Sequence, residues 1–143
     1  MTFVLGLAQC RHPEEGGTEA VLEMAEQWCA EASLRGVDIL VFPESLMTRY
    51  ELDKRSFASE VESIDGPFCC GMNALAARYG LWLVYTVNER NNEGNPFNTA
   101  VITGSDGTML MYGKEASNRK QEIDRQHYTI PNQRPKDKHC GKI

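Results

Sequence analysis

Two charged residues stand just beyond apolar runs, where catalytic groups of layered α/β proteins are found. Glu44 follows the run Val37 to Phe42 and Pro43, and Lys114 stands two positions after the stretch Thr108 to Tyr112. A carboxylate so placed can take a proton from a nucleophile, and a fixed ammonium can stabilise an oxyanion. Each has a plainer alternative: Glu44 as a solvated loop acid or helix cap, Lys114 as a charge guarding a sheet edge. Five cysteines, Cys10, Cys29, Cys69, Cys70 and Cys140, show no C-x-x-C spacing, so free thiols are expected rather than a disulfide framework or zinc site. A thiol beside a carboxylate would make a nucleophile and base. Cys29 falls on the apolar face of a predicted helix, and Cys69 and Cys70 fall in the first turn of another. Cys140 follows the polar run Arg134 to His139, with three residues behind it. Its neighbour His139 does not make a dyad, which needs side chains converging from separate elements. Cys10 ends the first apolar run and stays unassigned. His12 and His127 lie in polar segments with no partner at metal-ligand spacing, and neither phosphate-loop nor dinucleotide glycine spacing occurs.

The elements that must position these groups are readable from periodicity. Phe3 to Ala8 predicts a buried strand. Thr18 is the expected N-cap of a helix with Glu19 and Glu23 near its positive end. Val21, Ala25, Trp28, Cys29 and Ala32 lie at helical spacing, and Gly36 is its stop. Val37 to Phe42 reads as a parallel strand covered on both faces. After an irregular stretch, Asp65, Gly66 and Pro67 open a second helix, with Phe68, Met72, Leu75, Ala76 and Tyr79 on its apolar face and Gly80 at its end. Leu81 to Val87 and Asn98 to Thr103 are further strands, and Ser105 to Gly107 turn the last of these into Thr108 to Tyr112 as a hairpin. The result is an α/β protein with right-handed crossovers, whose ligands belong beyond the carboxyl ends of its strands.

The chain has 143 residues, 41% hydrophobic and 24% charged, as one soluble domain has. It has no apolar run of membrane-spanning length, and Thr2 to Gln9 lacks the basic start and cleavage site of a signal peptide, so a cytoplasmic protein without membrane contact is expected. The net charge of −5 gives no reason to expect nucleic acid, but it hides a break. Up to Gly113 seven basic residues face sixteen acidic ones, a net of −9; from Lys114 eight face four, a net of +4. Apolar residues are sparse in the second part. Residues 1–114 therefore read as the folded domain and 115–143 as a polar, basic, disordered tail without strand or helix.

The stretches "LGLAQ", "VDILVFPE", "SIDGPF", "LAARYGLWLVYTVNER" and "FNTAVITGSDGTMLMYGK" together resemble the amino-terminal half of the carbon-nitrogen hydrolases, the nitrilase superfamily, over residues 3 to 114. The resemblance implies a partial α-β-β-α sandwich: a mixed sheet with two covering helices and a terminal hairpin. It also implies a cysteine that attacks a carbonyl or nitrile carbon, a glutamate that acts as general base, and a lysine that stabilises the tetrahedral intermediate. Glu44 of "FPE" matches the base and Lys114 of "MYGK" the lysine. The family usually has Arg where Gly113 stands, so a different backbone path is expected there. Asn98 and Thr99 of "FNTAV" match a family element read here as structural. Glu122 stands eight residues beyond Lys114, as the family's substrate-positioning glutamate does, but with different flanks. The family's lysine is followed by a His-Leu element and a strand that delivers the nucleophile. This sequence continues "EASNRKQEIDRQHY" instead, and the nucleophile is unassigned.

The implied substrate is a small amide, nitrile or carbamoyl compound, with no cofactor and no metal. Two readings follow: a hydrolase of non-peptide carbon-nitrogen bonds truncated before its nucleophile, or an inactive truncated or frame-altered fragment that serves at most as a binding or oligomerising module. Self-association is expected in either case, because half a sandwich exposes apolar sheet. A flavodoxin-like ligand-binding domain would need a parallel strand after residue 114, and none is visible.

Overall fold

Alternating apolar runs and helical repeats give eight elements in the computed structural model, which describes residues 2–47, 61–93, 95–115 and 128–130. They are β1 (Leu5–Leu7), α1 (Gly17–Leu34), β2 (Ile39–Val41), α2 (Pro67–Tyr79), β3 (Trp82–Glu89), β4 (Phe97–Thr103), β5 (Met109–Glu115) and β6 (Tyr128–Ile130). The strands form one sheet in sequence order. β1, β2 and β3 run parallel, each pair joined by a helical crossover, and β3 through β6 are antiparallel. Beyond the hairpin of β4 and β5, residues 128–130 pair with Met109 to Met111 as a short sixth strand. Backbone pairing needs no apolar face, which is why sparse apolar residues did not reveal it.

The second helix starts and stops where expected, with Gly66 as N-cap, Pro67 in the first turn, and Gly80 closing it at φ 68°. The first differs at its start. Gly16, not Thr18, is the N-cap; its left-handed φ of 96° is open to glycine, and its carbonyl accepts the Ala20 N–H at 3.3 Å. Thr18 lies inside the first turn.

Both helices lie on one face of the sheet. Val21, Ala25 and Cys29 of α1 and Phe68, Met72 and Ala76 of α2 form one buried cluster with Leu83, Tyr85, Val87 and Val101 of the strands. Phe68 meets Tyr85 edge to face at 5.9 Å. Helix α1 comes close at Gly71, where a Cβ would stand 2.7 Å from the Leu22 methyls. Along β4 the alternation is strict: Phe97, Thr99, Val101 and Thr103 are buried toward the helices, while Asn98, Ala100 and Ile102 on the other face are half-buried. On β2 Leu40 is buried and Ile39 and Val41 are half-buried, so cover on both faces, as the apolar run suggested, is not seen among the described residues.

Glu62 supplies the cap that Gly66 cannot. Its Oε1 accepts the N–H of Phe68 at 2.8 Å and of Cys69 at 3.3 Å, satisfying donors in the first turn of α2. Burial raises its carboxyl above the ordinary 4.5 even though those two N–H groups hold it down. In the window between 4.5 and the raised value, folded chains keep a proton that unfolded chains have lost, so stability falls as pH rises through it. Glu62→Gln retains an oxygen acceptor without the charge. Thermal unfolding across pH 4 to 8 is expected to show the wild type losing ground to this variant as pH rises; parallel curves would refute that role for the burial cost.

Candidate active site

The carboxyl ends of β2 and β3, the start of β4 and the end of β5 share one sheet edge, because β4 and β5 pair back along β3. Glu44 reaches this edge through a constrained exit from β2. The Phe42 N–H donates to the Val84 carbonyl at 2.9 Å, Pro43 ends the ladder, and Ser45 takes a left-handed φ of 58° that a side chain rarely adopts. What holds Ser45 there is β3: its N–H donates to Thr86 Oγ1 at 2.7 Å. Backbone strain of this kind persists only where surrounding structure over-determines it, and it concentrates at functional sites.

Glu44 is exposed, and its Oε1 accepts a hydrogen bond from Asn98 Nδ2 at 2.7 Å. Asn98 stands opposite Asn88 of β3 on one side and opposite Lys114 of β5 on the other. Directly opposed residues of an antiparallel pair have Cβ atoms roughly 5 Å apart. The two residues singled out as base and lysine are thus brought to one edge, 70 residues apart in the chain, with Asn98 between them. Asn98, read as structural, holds Glu44 by this hydrogen bond. Its amide in "FNTAV" was the available signal, but its partner lies 54 residues away.

On the helix-facing side of the same edge, Thr99 Oγ1 donates to Glu89 Oε2 at 2.7 Å. Gly113 lies against this pair: a Cβ there would stand 2.8 Å from Thr99 Oγ1. Gly113 keeps the ladder register with Thr99. Glycine is needed there for close approach.

The described thiols are poor nucleophiles. Burial pushes Cys29 up to about 12, helped by the Glu26 charge. Burial likewise pushes Cys69 up to about 12, and both residues are fully buried. Cys10 is raised by burial as well. Cys70 is half-buried and directs its Sγ to the Asp65 carbonyl at 3.4 Å. Glu62 and Glu89 act on Cys69, yet a buried protonated thiol beside two carboxylates offers neither access nor thiolate. Among the described residues no three His, Cys, Asp or Glu side chains group to hold a metal ion. Glu122, Cys140, His127 and His139 lie outside the described residues, as does the loop 48–60.

The model of the family described as "carbon-nitrogen hydrolase" matches residues 5–138. The chain belongs to the carbon-nitrogen hydrolase family. The match extends past Lys114, where the resemblance in the sequence stopped. A formamidase of Pseudomonas syringae pv. tomato is 30% identical over 117 residues, which cover 76% of this chain and 33% of that protein. The chain spans about a third of the length of such curated carbon-nitrogen hydrolase relatives. Among solved structures, a carbon-nitrogen hydrolase from Helicobacter pylori G27 superimposes with a TM-score of 0.65 at 20% identity, over 78% of this chain and 39% of that one. An amidase from Nesterenkonia sp. gives 0.58 at 18% identity, over 78% and 42%. These establish the nitrilase-type α/β fold.

Two variants test the local geometry of this carbon-nitrogen hydrolase edge. Thr86→Val keeps shape but orphans the Ser45 N–H, and is expected to cost about 1–3 kcal/mol in urea unfolding. Gly113→Ala is expected to cost about 1–3 kcal/mol, because Thr99 must give up its place against Glu89. Wild-type stability in Gly113→Ala would mean that the strand can shift freely.

Proposed function

We propose that this chain carries the base and the oxyanion-stabilising lysine of a hydrolase of small amides, with nitriles and carbamoyl compounds as related substrates. The observation that carries the reading is the Glu44–Asn98 hydrogen bond at the register position of Lys114. The formamidase relative favours a short amide among the three substrate classes. In the reaction Glu44 takes the proton of a cysteine thiol as its sulfur bonds to the amide carbon. Lys114 stabilises the oxygen that becomes negative. The proton returns from Glu44 to the departing nitrogen, which leaves as ammonia. Water then attacks the thioester, giving up its proton to Glu44, and the acid and the free thiol are released. No step requires a cofactor. Glu122 is proposed to position substrate. The free thiols of Cys10, Cys29, Cys69 and Cys70 support a reducing, cytoplasmic setting. No described helix is long and apolar enough to cross a membrane.

A second reading is favoured by the absence of an accessible, activated thiol among the described residues: a non-catalytic binding or oligomerising module. Ammonia release from formamide, acetamide and a nitrile panel separates the two. Catalysis by this chain predicts turnover that Glu44→Gln and Lys114→Met each lower by at least about a thousandfold, as loss of one member of a nucleophile–base set does. Alkylation of Cys140 is the accompanying test of the nucleophile. No turnover, or turnover indifferent to both substitutions, sinks the catalytic reading.

A further inference from the structure

The chain leaves β2 along a short outward bend whose two flanks are pinned inside. Phe42 before the bend and Leu46 and Met47 after it belong to the same buried cluster as Leu83 and Tyr85, while Pro43 and Glu44 are exposed. Ser45 turns the chain back inward, and among the described residues it is the only one besides glycines with a positive φ. Two groups on one face of the sheet grip this bend. Thr86 pairs with Ala100, two positions along β4 from Asn98, so Thr86 and Asn98 are diagonal neighbours about 7–8 Å apart. Thr86 Oγ1 accepts the Ser45 N–H and Asn98 Nδ2 donates to Glu44 Oε1, each at 2.7 Å. One grips the backbone of residue 45 and the other the carboxylate of residue 44.

We propose that Thr86 is a positioning residue for Glu44: by holding Ser45 in its left-handed conformation it aims the Glu44 carboxylate at Asn98. The proposal rests on the reading of Glu44 as the base and adds the pair that aims it. Threonine is stiff at χ1, so its oxygen is a fixed post. A serine released from that post relaxes toward negative φ and rotates the peptide group that joins it to Glu44. Phe42 and Leu46 are held in the core, so the displacement falls on the exposed residue between them. Glycine is at ease with positive φ and needs no such post. The signature of this role is therefore that Thr86 becomes dispensable once residue 45 is glycine.

The side-chain amide of Asn98 reports the contact without requiring turnover. In proton–nitrogen spectra of the 143-residue chain, its signal is the amide pair that Asn98→Asp removes and Glu44→Ala shifts. Thr86→Val is expected to shift this pair as Glu44→Ala does, with an unchanged circular dichroism spectrum, and Thr86→Ser, which keeps the oxygen, to leave it in place. Adding Ser45→Gly to Thr86→Val is expected to restore it. Ser45→Val alone is expected to displace it, because a β-branched residue at positive φ is an outlier, and this variant carries the test should Thr86→Val not fold. In formamide hydrolysis kcat is expected to follow the signal, falling about a hundredfold in Thr86→Val and recovering with Ser45→Gly, at unchanged KM. A wild type without turnover counts against Glu44 as a base, and the amide signal still decides the positioning. An Asn98 pair indifferent to Thr86→Val and Ser45→Val overturns the proposal. So does a Thr86→Val shift that Ser45→Gly does not reverse, since Thr86 then serves packing alone.

Discussion

The double pairing of β3 is the constraint on which the other arrangements depend. On one side it runs parallel to β2 and on the other antiparallel to β4, while Leu83, Tyr85 and Val87 anchor it under the helices. Several of the contacts that shape the candidate site pass through it. Its Val84 carbonyl takes the Phe42 N–H, Thr86 Oγ1 holds Ser45, Asn88 sets the register of Asn98, and the Asn88 carbonyl accepts the Glu62 N–H at 3.2 Å. A slip of one residue would turn every β3 side chain to the opposite face. The buried apolar set forbids that slip, and so the packing of a core fixes the distance between Glu44 and Asn98.

Much of this fold was legible because its signals are local. Pro67 and Gly80 bound α2 by their own backbone chemistry, and the apolar runs place β2, β3 and β4 within two residues of where they form. The start of α1 was misread because Thr18 is the better side-chain cap, whereas Gly16 offers a backbone conformation that a side chain resists. Glu62 sits in a stretch without periodicity, and its role appears only when the chain folds its carboxylate onto the start of α2. Local signals describe a residue's own backbone; they cannot name a partner many residues away.

The site divides in the same way. The places of Glu44 and Lys114 in the fold were readable because strand ends and short motifs mark them, and both positions lie at one edge. Asn98 was readable as a residue but not as a role, since its role is a hydrogen bond across the sheet. Gly113 shows the reverse case. Its place in the sequence was evident, but its close approach to Thr99 is a contact that only the packed structure contains.

The apolar face and the polar edge are parts of one surface. Alternation along β4 puts Asn98, Ala100 and Ile102 on the same side, so the apolar face runs directly into the Glu44–Asn98 pair. A layer stacked on that face excludes water up to its rim. There the hydrogen bond from Asn98 to the Glu44 carboxylate strengthens as the local dielectric falls. Glu44 is exposed in the isolated chain, so its geometry is prepared in advance while its electrostatic environment is not. Whatever covers the sheet therefore does more than bury leucines: it decides how strongly the Asn98 amide and the Glu44 carboxylate act on each other.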